Sequence, residues 1–399
     1  QVANQRRKFF LGSRSTYCER RVGKRGVVLQ SMMETILSYL ENGAVRAVCM
    51  VVVGLLVLNL PSVLLKAKLS LMGCLYMVFC HDKSYKLRST DPGVIFVPLL
   101  KEADKGEGKI EKKTVIFIRH GESTWNDTFN KGSHRSLGVF IAGYIPGLVK
   151  AVLYELYLLL AGKVDSWFYD APMSTLGLTQ TEALAAFLDS ASKPNSTATD
   201  REKQLVAILN NDPGAPPSKT LSSPLRRAIS TVAIGLRRRL ERSPEDKIVI
   251  HPSLQEIARN PDTLAITPPH TPVTASWIEQ DYKPIPDLQH LLHTHVDVSN
   301  HTGNKPLSTN GLKRMTAFND YVFDSLDEQY VIVGGHSIWF RSFFRAFLPY
   351  NLDHASKTKK VVNCGAVAFT LMKTNHPKEG VVYMIDPNTI EVIYGGFQK

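Results

Sequence analysis

Arg119 and His120 stand side by side directly after Val115-Ile116-Phe117-Ile118 and before Gly121. Four apolar residues without polar alternation read as a strand buried on both faces, the kind found in a parallel sheet covered by helices. An arginine and a histidine at the end of such a strand are costly to bury without a partner, and a glycine there lets the backbone turn tightly or approach a ligand. An anion would satisfy all three. Tyr330-Val331-Ile332-Val333-Gly334-Gly335-His336-Ser337 repeats the arrangement: a buried strand, a glycine turn, a histidine, then a helix. The loops beyond the carboxyl ends of parallel strands are also where open α/β sheets bind ligands.

A third strand, Lys219 to Ser223, leads into a helix read as starting with Ser223 as cap and Pro224 first, and opening with Arg226 and Arg227. Cations in a first turn oppose the helix dipole by about 0.3–1 kcal/mol, and a bound anion reverses that sign. Arg226 is expected in solvent, as are Arg237, Arg238, Arg239 and Arg242 at the far end of the pattern.

These positions need a frame of alternating strands and helices. Thr179-Gln180-Thr181-Glu182 has capping-box spacing for a helix to Asp189. Ile248-Val249-Ile250 is a strand, Asn310 to Leu326 and Ile338 to Phe347 are helical, and two strands, Val361 to Leu371 and Val381 to Tyr394, close the chain with an interruption at Pro387-Asn388. Trp339, Phe340, Phe343 and Phe344 are expected in the core. The expected fold is α/β, a mostly parallel sheet with helices on both faces, preceded by an N-terminal transmembrane or membrane-associated helical segment.

The 399 residues carry a net charge of +12, of which +7 falls in residues 1–30. The basic balance therefore belongs to the N-terminal stretch, and no nucleic-acid module is present to use it. Residues 1–31 are open between a targeting segment, a juxtamembrane tail and sequence upstream of a start at Met32 or Met33. Five cysteines without CxxC spacing do not make a disulfide framework or a zinc site, and a reducing compartment is the simpler reading. His290, His293, His295 and His301 lack a nearby carboxylate pair, so no metal is expected.

Ala47 to Leu65 holds no charge over 19 residues, about enough to cross a bilayer core, with Pro61 expected to kink it. Leu69 to Cys80 is too short to cross. Lys66, Lys68, Lys83, Lys86 and Arg88 follow, which puts the C-terminal side in the cytosol by the positive-inside rule, in a membrane the sequence does not identify. The expected organisation is a basic tail over 1–46, a single-pass membrane anchor over 47–82, a linker over 83–112 and a catalytic domain over 113–399. Within that domain, 137–168 is an apolar insertion with a helix from Gly147 to Ala161, either packed on the core or forming a membrane-facing lid.

With these residues assembled, the chain resembles the histidine phosphatase superfamily, the phosphoglycerate mutase-like branch. The resemblance rests on Arg119-His120-Gly121-Glu122-Ser123-Thr124-Trp125-Asn126, Asp170-Ala171-Pro172 with Gly177, Ser222 to Ala228 with Thr231, Leu254-Gln255-Glu256, and Gly335-His336-Ser337. It spans residues 113–399 apart from the insertion. It implies His120 as a nucleophile that becomes a phosphohistidine, Arg119 and Arg227 on the phosphoryl oxygens with His336 completing the clamp, and Glu256 as the acid/base carboxylate. Ser123 and Asn126 are implied as secondary contacts to phosphate or substrate. No metal or organic cofactor is implied.

Three functions fit these residues. The favoured one is a metal-independent phosphomonoester hydrolase acting on a phosphorylated small molecule, lipid or protein. A phosphoglycerate mutase-type phosphotransferase shares the same residues, but Ile257-Ala258-Arg259-Asn260-Pro261-Asp262 departs from the Arg-His-Tyr-Gly-type segment such mutases use. A membrane-bound scaffold that binds phosphate without turnover is the third.

Overall fold

The computed structural model describes residues 43–103, 110–132, 135–193, 198–285 and 287–398. The readings for residues 1–31 and for Cys18 lie outside them.

One sheet of seven strands organises the chain from Leu64 onward. Its members are β1 (Glu111–Arg119), β2 (Ser218–Ser222), β3 (Ile248–Ile250), β4 (Val296–Asp297), β5 (Tyr330–Gly335), β6 (Ala366–His376) and β7 (Gly380–Tyr394), in the order β4-β3-β2-β5-β1-β6-β7. The first five run parallel, and β6 and β7 are antiparallel. The period of two along β1 divides its side chains between two cores. Ile116 and Ile118 pack on one face with Leu184, Leu205 and Ile229, while Val115 and Phe117 pack on the other with Phe318, Phe340 and Phe343. Burial on both faces explains the unbroken apolar run, and it forces the first residues that tolerate solvent, Arg119 and His120, to the strand end.

Several boundaries differ from the sequence reading for local reasons. β6 begins at Ala366 rather than Val361, whose only strand contact is a bridge to Phe397. The interruption at Pro387-Asn388 is a bulge, with residues 387–390 of β7 lying opposite the single residue Phe369, because proline cannot donate to the ladder. The stretch read as a linker contains a helix, Pro92–Ala103, whose Ile95 and Phe96 pack on Met372, Val382 and Met384. Asp82, just before it, is fully buried against Lys305 at 2.7 Å and Arg314 at 2.6 Å.

The apolar N-terminal stretch is not one kinked helix. It divides at Asn59 into Gly43–Leu58 and Leu60–Phe79, with Pro61 in the first turn of the second, where its missing N–H costs nothing. Leu69 to Cys80 is therefore mostly the continuation of the second helix. Asn59 Nδ2 donates to Leu160 O at 2.9 Å and Ser62 Oγ to Gly162 O at 2.8 Å, which joins residues 43–63 to residues 159–162 in one compact unit. In the insertion, the helix runs from Leu137 to Leu160, ten residues longer at its start than expected and through Pro146. Leu60–Phe79 and Leu137–Leu160 are each long and apolar enough to cross a membrane.

Candidate active site

β1 and β5 are neighbours in register, Arg119 opposite Gly335, so the two histidines that follow arrive together. His120 N–H donates to Gly335 O at 3.0 Å, and the ring centroids of His120 and His336 are 5.0 Å apart. Gly121 is needed for packing rather than for ligand approach. A Cβ there would sit 2.6 Å from Gly177 O, and one on Gly177 would sit 2.1 Å from Glu122 O, so the two turns meet backbone to backbone. Thr231 Oγ1 receives the Gly121 N–H at 3.0 Å, and Asn363 Nδ2 donates to His120 O at 3.1 Å.

Hydrogen bonding fixes which nitrogen of His120 is free. Its Nδ1 lies 2.5 Å from Gly121 O, and because a carbonyl only accepts, Nδ1 carries the proton and Nε2 keeps its lone pair. Burial, with Arg227 and Arg119 beside the ring, holds His120 well below the usual imidazole range, so it is neutral at physiological pH. His336 is neutral for the same reasons, burial first and Arg227 next. Its Nε2 is 2.7 Å from Ser223 Oγ, which also accepts the Leu225 N–H at 3.3 Å.

Arg119, His120, Arg227 and Glu256 line one cavity of about 250 Å³, with Asn126, Asp262 and Lys360. Burial lowers the Arg119 guanidinium to about 10, still charged at neutral pH. Each arginine is aimed by backbone oxygens: Arg119 Nη1 donates to Val361 O at 2.6 Å and Arg227 Nη1 to Asp262 O at 2.8 Å. Among the described residues, Nε of Arg119, Nε of Arg227 and Nδ1 of His336 are buried without a hydrogen-bond partner. An unpaired buried donor costs about 1–3 kcal/mol, more when charged; Arg119 and Arg227 line the cavity, whereas His336 is buried next to His120 and is not among the lining residues.

Glu256 is braced by backbone: Oε1 accepts from Ile257 N at 2.9 Å and Trp339 N at 2.8 Å, and Oε2 from Ile338 N at 3.4 Å. Those last two amides open the helix Ser337–Phe347, whose Trp339, Phe340, Phe343 and Phe344 are core as expected.

Five expectations are corrected. Ser123 does not line the cavity; it is buried and caps the helix Thr124–Phe129, accepting from Asn126 N at 3.2 Å. Ser223 is not the cap of its helix, which starts at Arg226 after Leu225. Arg226 is not solvated. It is buried, pairs with Asp165 and with Asp170 at 3.4 Å, and its backbone N–H is held by Asp170 Oδ1 at 2.9 Å. Arg239 is also buried, on Asp246 and Ile208 O. The helix read from Thr179 begins at Thr175 with Ser174 as its cap.

The sequence reading missed Asp262, Lys360 and Asn363, which come from irregular segments without periodicity. Asp262 carried one signal, since Pro261-Asp262 falls in the departure after Glu256. Among the described residues no group of three or more His, Cys, Asp or Glu is placed to hold a metal ion; His290, His293 and His295 lie on the helix Leu288–His295, and His301 Nε2 meets Thr267 O at 3.1 Å.

No family model and no curated protein matches the chain. Solved structures similar to it include a mycobacterial glucosyl-3-phosphoglycerate phosphatase, at 14% identity over 69% of this chain and 97% of that one with a TM-score of 0.30. A putative alpha-ribazole-5'-P phosphatase from Escherichia coli is 13% identical over 69% and 94%, with a TM-score of 0.31. The ecdysone phosphate phosphatase from Bombix mori is 18% identical over 72% and 97%, with a TM-score of 0.32.

Proposed function

We propose that this chain is a phosphomonoester hydrolase of the histidine phosphatase type, acting through a phosphohistidine on His120. The observation that carries the proposal is the meeting of Arg119, His120, Arg227 and Glu256 in one cavity, with the His336 ring 5.0 Å from that of His120. Nε2 of His120 attacks phosphorus in line, and the P–O bond to the alcohol breaks. Water then attacks phosphorus and returns the electron pair to Nε2. Arg119, Arg227 and Nδ1–H of His336 face the equatorial oxygens, where preorganised donors are worth most. Neutrality of both imidazoles matters, because only the neutral ring is a nucleophile.

Hydrolysis is favoured over mutase chemistry by the carboxylates of the cavity. Glu122, Glu256 and Asp262 all line it, and a diphosphorylated acid would bring its own carboxylate against them. An adjoining recess of about 280 Å³ shares Glu122 and is walled by Tyr154, Trp167 and Trp277, which leaves room for a ring-bearing or amphiphilic alcohol portion. Hydrolysis of a chromogenic phosphomonoester without added metal, lost in His120→Ala, is the expected result. Isomerisation of 3-phosphoglycerate faster than hydrolysis of any ester overturns the hydrolase reading, and phosphate binding without turnover would favour the scaffold.

The enzyme is further proposed to be membrane-bound, with the catalytic domain on the cytosolic side. The helix Leu137–Leu160 supports this through its polarity. Its only charged residues turn inward, Glu155 onto Lys66 at 2.6 Å and Trp167 N at 2.8 Å, and Lys150 over the Trp167 ring at 5.5 Å, while Val139, Ile141, Ile145 and Leu153 are exposed. Both flanks bond to the catalytic unit, Arg135 to Asp127 at 3.3 Å and Asp165 to Arg226, which supports a helix about 36 Å long lying along the membrane surface rather than crossing it. Recovery of the intact protein in the soluble fraction without detergent would remove this part of the proposal.

A further inference from the structure

We infer that Asp262, rather than Glu256, is the catalytic acid that protonates the leaving oxygen and then takes a proton from the attacking water; the inference rests on the phosphohistidine reading above. Two carboxylates beside His120 line the same cavity, and their surroundings differ in kind. Glu256 spends both oxygens on three backbone N–H groups, two of them at the start of the helix Ser337–Phe347. That arrangement immobilises the carboxylate on backbone donors and makes Glu256 a brace between its own loop and the turn after His336.

Asp262 is held differently. It sits in the short 3-10 turn Pro261–Thr263, and Arg227 reaches it twice, with Nη1 on its backbone oxygen at 2.8 Å and Nη2 on Oδ2 at 3.3 Å. Its Oδ1 is buried and has no hydrogen-bond partner. A buried oxygen without a donor is where a proton is cheapest to place, and the turn sets it in the cavity that holds the nucleophile. The charged groups facing it are Arg227 and Lys305, which favour ionisation, and Glu256 and Asp170, which oppose it. Burial prevails, and the carboxyl is pushed up to about 6.

The two steps balance on one proton. As Nε2 of His120 forms its bond to phosphorus, the P–O electron pair goes to the leaving oxygen and takes the Asp262 proton, giving the alcohol and an Asp262 carboxylate. In the second step that carboxylate accepts a proton from water as its oxygen bonds to phosphorus, the N–P pair returns to His120, and inorganic phosphate leaves with Asp262 protonated again.

An acid matters only for leaving groups that need a proton. Asp262→Asn is expected to lower kcat/KM by about 10²–10⁴-fold on an alkyl phosphomonoester, and by about tenfold or less on p-nitrophenyl phosphate. Glu256→Gln is expected to affect the two esters alike. Wild-type enzyme gives a reading that needs no variant. A raised carboxyl is protonated below its folded value, so the acid is present below about pH 6 and lost above it. The dependence of rate on leaving-group acidity should then be shallow at about pH 5 and steep at about pH 8.

Equal losses on both esters in Asp262→Asn, a leaving-group-selective loss in Glu256→Gln, or one slope at both pH values overturns the assignment. His120→Ala separates the two readings: if it remains active on p-nitrophenyl phosphate, the phosphohistidine reading falls and takes this inference with it.

Discussion

The carboxyl ends of β1 and β5 carry the same pattern, a buried strand running into a histidine, yet His120 lines the cavity while His336 is buried beside it. His120 gives its Nδ1 hydrogen to the Gly121 carbonyl and keeps a lone pair on Nε2. His336 is tied through Nε2 to Ser223, and its buried Nδ1 has no hydrogen-bond partner. In the proposed phosphohistidine mechanism the first is the nucleophile and the second a donor to the phosphoryl oxygens. One residue type at equivalent places in adjacent parallel strands thus has two different surroundings, and the proposal gives each its own role.

Substitutions at the two ends should separate accordingly. His120→Ala removes the atom that bonds phosphorus, and hydrolysis in a steady-state assay should fall by about 10⁴-fold or more. Arg227→Lys and His336→Ala each remove preorganised donors but leave the nucleophile, so kcat should fall by about 10²–10³-fold, equivalent to about 2.7–4 kcal/mol. A loss at His336 as large as that at His120 would break the distinction. Ser223→Ala frees the His336 ring without removing it, and should cost about 1 kcal/mol, close to fivefold in kcat, with the phosphohistidine still formed. Asn363→Ala, which removes a hydrogen bond to the His120 carbonyl oxygen from the cavity wall, should change kcat/KM least, by about threefold or less.

The strand ends were legible in the sequence because burial on both faces leaves an unmistakable apolar run, and because costly side chains sit where the run stops. What lay outside local pattern was not. Arg226 has the same neighbours in sequence as Arg227, but Asp165 and Asp170 bury it from more than fifty positions away, so its pairing is visible only in the fold. Asp262 acquires its character from Arg227 and from burial, neither of which a Pro-Asp turn reveals. Ser123 has the residue type for either a cap or a ligand contact, and the free amides of the helix start took it. The Leu60–Phe79 helix was divided in the reading by Lys66 and Lys68, although Lys66 is neutralised by Glu155.

The most direct test of the division of labour between the two histidines is a rapid-quench experiment under alkaline conditions, followed by mapping of the modified residue in the single-turnover reaction. The account predicts a kinetically competent phosphoryl adduct on Nε2 of His120, absent from His120→Ala and still detectable in His336→Ala. Turnover of the ester with no adduct at residue 120, or an adduct on His336 instead, would contradict it.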